Sequence, residues 1–273
     1  VYDYDPVWQT FVDLGVAATS HAGSAGWPDR SSPTSFVFNH IGHFAQGNMT
    51  YCKALFMGGV PRRFPNLNFC FLEGGVAGFR WLLSDIIGHW DKRRGESVLK
   101  DLKPDNLDLS KLRELTQEFG GQRYGQHLDE VWDPFDHPGR KISPSEQTAR
   151  EPKDMLDEFE HVGVSSKRDI AELFTRNFYF GCEADDPLTT LAFDPRLGVR
   201  LKACVSSDVG HWDVPNMLEV VPEMYEMVEK GLLSEAEFRE FTFSNAVQLH
   251  GGMNPSFFKG TRVESEATTA LAQ

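Results

Sequence analysis

The sequence has no apolar run near the roughly 18 residues that a membrane-crossing helix needs, so no membrane span is expected. It is also short of positive charge. Lys and Arg total 27 against 40 Asp and Glu, a net charge of −13. Contacts to a phosphate backbone need clustered cations, so nucleic acid is not an expected partner. Cysteine is sparse: Cys52, Cys70, Cys182 and Cys204 lie far apart and form no CxxC pair. Three of them sit in apolar, strand-like runs. The expected state is reduced, buried thiols in a cytoplasmic protein. The first residues, Val1 to Asp5, carry neither a basic nor an apolar region, so no signal peptide is expected. An initiator Met is missing as well, which fits a processed chain or a fragment.

What is present reads as an ordinary globular protein, with 40% hydrophobic, 25% charged and 12% aromatic residues. Its 273 residues suit one large domain or two small ones. Val7, Phe11, Val12 and Leu14 predict a helix from Asp5, stopped by Gly15. The run from Val16 to His21 predicts a strand, and residues 35–57 a long helix. The run Leu67 to Leu72 predicts a second strand, one covered on both faces as in a parallel sheet. Residues 77–90 read as helix. Residues 92–169 are charged and Pro-interrupted, which predicts a helical insertion. Two further strands are expected at Asn177 to Cys182 and Leu201 to Val205. Helices follow near 216–230 and 234–248. Ser166 with Asp169 and Ser234 with Glu237 read as capping boxes. The expected organisation is barrel over 1–91, insertion over 92–169, barrel over 170–260 and a flexible tail over 261–273.

Repeated strand–helix units predict an α/β protein with a parallel sheet. Polar residues at the C-terminal strand ends are then the leading site candidates. They are His21, Glu73, Glu183 and Asp208. Imidazole and carboxylate suit a divalent metal, most often zinc, with manganese or iron as alternatives. Such an ion makes hydroxide available near neutral pH. The competing reading has His21 bonded within its loop and Asp208 capping the next helix.

The residues also resemble the amidohydrolase superfamily, in the amidohydrolase-related branch that includes aminocarboxymuconate-semialdehyde and γ-resorcylate decarboxylases. Four stretches carry the resemblance: Ala18 to Gly23; Gly58 to Leu67 leading into Phe71 to Gly75; Ser206 to Asp213; and Asn245 to Gly251. The resemblance implies a (β/α)8 TIM barrel with a metal at the strand C-termini, this chain supplying about the last four βα units. It implies that His21 is a metal ligand from the fifth strand. It implies that Asp208, from the eighth, binds metal or handles a proton. Glu73 stands where the decarboxylases carry His; it is a candidate catalytic base, metal ligand or mark of an inactive site, and it tilts the expectation towards hydrolysis. Glu183 and Trp27 become candidate substrate contacts. The family's first-strand H-x-H or E-x-H pair has no counterpart here, so the first half of the barrel is expected from missing N-terminal residues or from another chain.

The expected activity is hydrolysis of an ester, lactone or amide by metal-activated water. The alternatives are nonoxidative decarboxylation of an aromatic or unsaturated acid, and a non-catalytic barrel subunit or interaction module. His211 is a candidate proton carrier or a loop histidine bonded to nearby backbone. His40 and His43 share a helix face; they could form a metal pair, but the favoured expectation is that they face loop or solvent. Asp213 reads as a helix N-terminal carboxylate. Arg62 and Arg63 precede a strand and read as surface ion pairs, and Asp185-Asp186 as a turn. Phe36, Phe38, Phe44, Trp81 and Trp90 read as core or interface, which together with the insertion points to a homo-oligomer, possibly a dimer.

Overall fold

The computed structural model describes residues 4–21, 23, 27, 31–102, 106, 108–125, 157–212 and 214–272. Asp213 lies outside them, so its expected role at a helix start is not described. The chain forms two compact units, residues 1–88 with 161–273, and residues 89–160.

The first unit is α/β. Helix α1 (Asp5–Leu14) has Pro6 in its first turn and ends on Gly15, whose φ of 62° returns its amide to the Phe11 and Val12 carbonyls. Strand β1 (Ala18–Ser20) follows. The helix expected over 35–57 is two helices, α2 (Phe36–His40) and α3 (His43–Met57). Gly42 between them takes φ 66°, a left-handed conformation that a continuous right-handed helix does not accommodate. Next come α4 (Val60–Arg63), β2 (Phe69–Phe71) and α5 (Ala77–Arg93). Helix α6 (Leu109–Phe119) belongs to the second unit. Helix α7 (Lys167–Asn177) starts at Ser166, whose side chain accepts from the Asp169 amide, and leads into β3 (Phe178–Glu183). Strand β4 (Lys202–Ser206) precedes α8 (Val220–Glu229) and α9 (Glu235–Arg239). Helix α9 has a complete capping box from Ser234 and Glu237. Helix α10 (Asn245–Gly251) follows a π-helical turn, Glu240–Ser244.

The strands form one parallel sheet in the order β1-β2-β3-β4. Its register fixes which residues share a face, because strand side chains alternate. Ala18, Phe69 and Phe178 form one row, and Ser20, Phe71, Phe180 and Ala203 another on the same face. Four phenylalanines there meet Phe79 of α5 and Phe174 of α7, and Phe56 of α3 packs against Phe174, all fully buried. Trp8 of α1 packs edge-on against Phe69 at 5.5 Å. The helices that cross between strands therefore cover this face. Each buried Phe contributes roughly 1.5–3 kcal/mol. The opposite face is lighter: Cys70, Tyr179 and Cys204 pack with Leu249 of α10, Ala17 and Leu72. All four cysteines are buried and unpaired as disulfides.

Side-chain amides, one of them fully buried, tie down the N-terminal ends of the strands. Asn177 donates to the Pro65 and Leu67 carbonyls, both at 2.8 Å. Asn68 donates to the Gln248 and Leu249 carbonyls. Residues 264–271, inside the segment expected to be a flexible tail, form helix α11 (Glu264–Leu271). It is held because Ala267 is buried and the Ala270 carbonyl accepts from Gln248 Nε2 at 3.0 Å.

In the second unit, Asp108 caps α6 by accepting from the Lys111 amide at 2.9 Å. Trp90 packs edge-on against Phe159, and Asp157 accepts from the Gly95 amide.

Candidate functional site

Each parallel strand ends in one of the four polar residues picked out above. His21 follows β1 directly, Glu73 comes two residues after β2, Glu183 closes β3, and Asp208 comes two residues after β4. Because the strand order is sequential, so is the order of these side chains across the sheet.

Among the described residues, the non-glycine residues with positive φ are Glu73 at 56° and Asp208 at 49°. A left-handed non-glycine residue costs of order 1–3 kcal/mol and persists only where its surroundings impose it. Here the strand ends turn sharply, and the carboxylates are carried on the turns. At Glu73 the neighbours are matched to the turn. A Cβ on Gly181 would meet Leu72 Cα at 3.0 Å and the Glu73 amide nitrogen at 3.1 Å, so that strand position has room only for glycine. The Gly75 amide, on a residue at φ 62°, donates to the Gly181 carbonyl at 3.0 Å and closes the turn.

His21 Nε2 lies 2.7 Å from Glu73 Oε2, and the His21 ring stands edge-on to Phe44 at 4.7 Å. With Nε2–H donated to Glu73, the neutral ring keeps its lone pair on Nδ1. At the other edge, Asp208 Oδ2 lies 3.2 Å from His211 Nδ1, and the Asp208 carbonyl accepts from the His211 amide at 3.0 Å. Both pairs are substantially exposed. Glu183 sits between them. Partial desolvation first, then the carboxylates of Asp185, Glu73, Asp186 and Asp208, push its pKa up from the ordinary value. One carboxyl that senses both Glu73 and Asp208 shows a shared negative field across β2, β3 and β4.

A cavity of about 290 Å³ opens beside this row. Glu73, Gly74, Gly75, Glu183 and Asp186 line one side, and His40 to Ala45 the other. His43 is buried and donates from Nδ1 to the His40 carbonyl at 2.6 Å. The expectation that both histidines face loop or solvent therefore holds for the exposed His40 and not for His43. The reason is Gly42, which turns α3 so that its first residue faces inward. Asp186 both lines the cavity and caps a 3₁₀ turn, accepting from the Leu188 amide at 2.9 Å.

Trp27 lies in the loop after β1, partly buried, with its carbonyl accepting from Ser31 Oγ at 2.9 Å. It is not among the residues lining the cavity. Arg62 and Arg63 are at the other end of the sheet, paired with Asp169 and Asp5 at 2.8 Å. Of the aromatic residues, Trp90 is buried, while Phe36, Phe38 and Trp81 are exposed.

The donor chemistry of the row fits a divalent cation in part. A histidine that gives one N–H to a carboxylate and keeps the other nitrogen free is the usual form of a metal-binding imidazole. His21 with Glu73 has that form. His21 and Asp208, the two expected ligands, come from the outer strands of the four, about 14 Å apart at three strand spacings. Among the described residues, no group of three or more His, Cys, Asp or Glu side chains converges on one point. Gly181 is the site residue that the sequence left unmarked, while His43, weighed there with His40, turns inward to line the cavity. A glycine inside an apolar strand signals close backbone approach and is the sign that could have found Gly181. In comparisons with known proteins, no family model, curated protein or solved structure matches the chain.

Proposed function

We propose that the chain is a metal-dependent hydrolase of amidohydrolase type, acting on a small-molecule ester, lactone or amide. One observation carries the reading: Glu73 and Asp208 hold left-handed backbone at the C-terminal ends of β2 and β4, on either side of the strand that ends in Glu183. Strain of that kind gathers at functional sites, and these ends are where α/β proteins place them. Sequential strands with the crossover helices on one face support a segment of a (β/α)8 barrel. The remaining strands would come from residues outside this sequence or from another chain.

The proposed metal is zinc, with manganese or iron as alternatives; when bound, it polarises the scissile carbonyl and activates water. His21 Nδ1 and Asp208 would hold it once the remaining strands close the sheet into a barrel and bring these two strand ends, about 14 Å apart here, within reach of one ion. Glu73 fixes the His21 ring by accepting its Nε2–H. Asp208, backed by His211, accepts the proton of the attacking water. Glu183 keeps its proton to higher pH than an ordinary glutamate and gives it to the leaving group. A carboxylate substrate would meet Glu73, Glu183 and Asp186 around the cavity. That repulsion favours a neutral ester, lactone or amide over decarboxylation of an acid.

The test is hydrolysis of an ester, lactone and amide panel by the purified full chain, with metal content measured alongside. The expected result is bound metal and turnover, with His21→Ala and Asp208→Ala losing metal and about 10²-fold or more in rate. Rates unchanged by both substitutions would overturn the reading. So would carbon dioxide release without incorporation of water.

A further inference from the structure

We infer that Asn48, a residue of α3 that touches neither cavity nor strand-end carboxylate, is the positioning residue of the His21–Glu73 pair. The inference rests on the functional reading of that pair. Asn48 is completely buried, one of few polar residues in the core. Its Nδ2 donates to the Leu72 carbonyl at 2.7 Å. Its Oδ1 accepts from Ser20 Oγ at 3.0 Å. The Leu72 amide donates to the Ser20 carbonyl at 2.8 Å. These three bonds form a closed circuit through Ser20, Leu72 and Asn48.

Ser20 is the residue before His21, and Leu72 is the residue before Glu73. One buried amide therefore fixes the last peptide on each of two neighbouring strands, where the chain leaves the sheet. Beyond those points no ladder constrains the backbone, yet Glu73 must enter the left-handed region and His21 must meet it at 2.7 Å. A main-chain bond alone sets strand register. The side-chain amide adds a fixed third point, because α3 is held against the sheet by Cys52, Leu55 and Phe56, all buried. The circuit is complete, with donors matched to acceptors, so the amide cannot rotate without breaking two bonds. Leucine would fill the space but leave the Leu72 carbonyl and the Ser20 hydroxyl without this partner. Aspartate would turn an oxygen towards the Leu72 carbonyl.

The experiment is histidine ring ¹⁵N NMR on the full chain, comparing the parent with Asn48→Leu, Asn48→Asp and Ser20→Ala. The parent should show His21 with Nε2 protonated and hydrogen-bonded. Asn48→Leu and Asn48→Asp should lose that single-tautomer signature while the other histidines keep theirs. Ser20→Ala removes only one hydroxyl and should weaken it partially, which keeps the test open if the buried variants do not fold. Where the pair also supports hydrolysis, the same order should appear as a loss of about 10- to 100-fold. Retention of the parent His21 signature in folded Asn48→Leu, or in Ser20→Ala together with an unfolded Asn48→Leu, would overturn the inference. A parent that shows the signature without hydrolysing any substrate would remove the proposed function and leave the positioning role standing.

Discussion

The two ends of the sheet use polar residues in opposite ways. At the N-terminal end, Asn177 and Asn68 give their amides to backbone carbonyls, and Lys202 Nζ donates to the Arg176 carbonyl at 2.6 Å. These bonds go to the main chain, and the ion pairs Arg62–Asp169 and Arg63–Asp5 at the same end lie on ordinary right-handed or extended backbone. At the C-terminal end the charged groups pair with one another, stay open to solvent, and two of them stand on left-handed backbone. One end satisfies groups that folding has buried. The other carries two carboxylates on left-handed backbone that costs strain. Under the proposed function, the first set serves stability and the second serves chemistry.

The comparison can be broken most forcefully at the N-terminal end. Asn177→Ala should destabilise the chain by about 2–4 kcal/mol, because two carbonyls at that strand junction lose their donor. The His21–Glu73 signature should survive in the folded fraction. Denaturant unfolding measures the first effect and ring ¹⁵N NMR the second. Gly181→Ala comes next and crosses between the ends. Its methyl would press on Leu72 Cα and the Glu73 amide, so a loss of about 1–3 kcal/mol should come with displacement of Glu73. A smaller effect isolates the field of the site. Glu183 has a raised pKa, so its charged form opposes folding. The stability contributed by its protonated form is lost as pH rises through the folded pKa. Glu183→Gln should therefore be the more stable protein near pH 7, and the difference should vanish below the ordinary value of 4.5. Solvent screening at this exposed residue keeps the gain small, and thermal unfolding across pH measures it.

Much of this was legible in the sequence. The runs ending in His21, Leu72, Cys182 and Val205 became β1 to β4 within one to two residues. Strands of a parallel sheet are buried on both faces, so they read as continuous apolar stretches that stop abruptly at a polar residue. The same logic exposed all four strand-end candidates. The glycine stop of α1 and the caps of α7 and α9 are local chemistry and were equally readable. What stayed hidden depends on distant residues. Gly42 reads as an ordinary helix glycine until its φ is known. Helix α11 looks like a polar tail because what holds it is small and distant: Ala267, the packing of Leu271 over Gly251 and the bond from Gln248. Asn48 gives no sign in one dimension of a partner 24 residues away and another 28 residues away. The left-handed turns at Glu73 and Asp208 leave no mark either, since the residue that signals such a turn is glycine and neither is one.

That last feature gives the most direct test. If Glu73 and Asp208 hold left-handed backbone for the sake of their carboxylates, glycine should relieve the strain. The measurement is the unfolding free energy of the double variant Glu73→Gly/Asp208→Gly beside the parent, by denaturant titration. The account predicts a gain of about 1–2 kcal/mol, after the entropy that glycine adds to the unfolded chain is offset, together with loss of hydrolysis. A double variant less stable than the parent would contradict it, because the two side chains would then be holding the fold together and not the site.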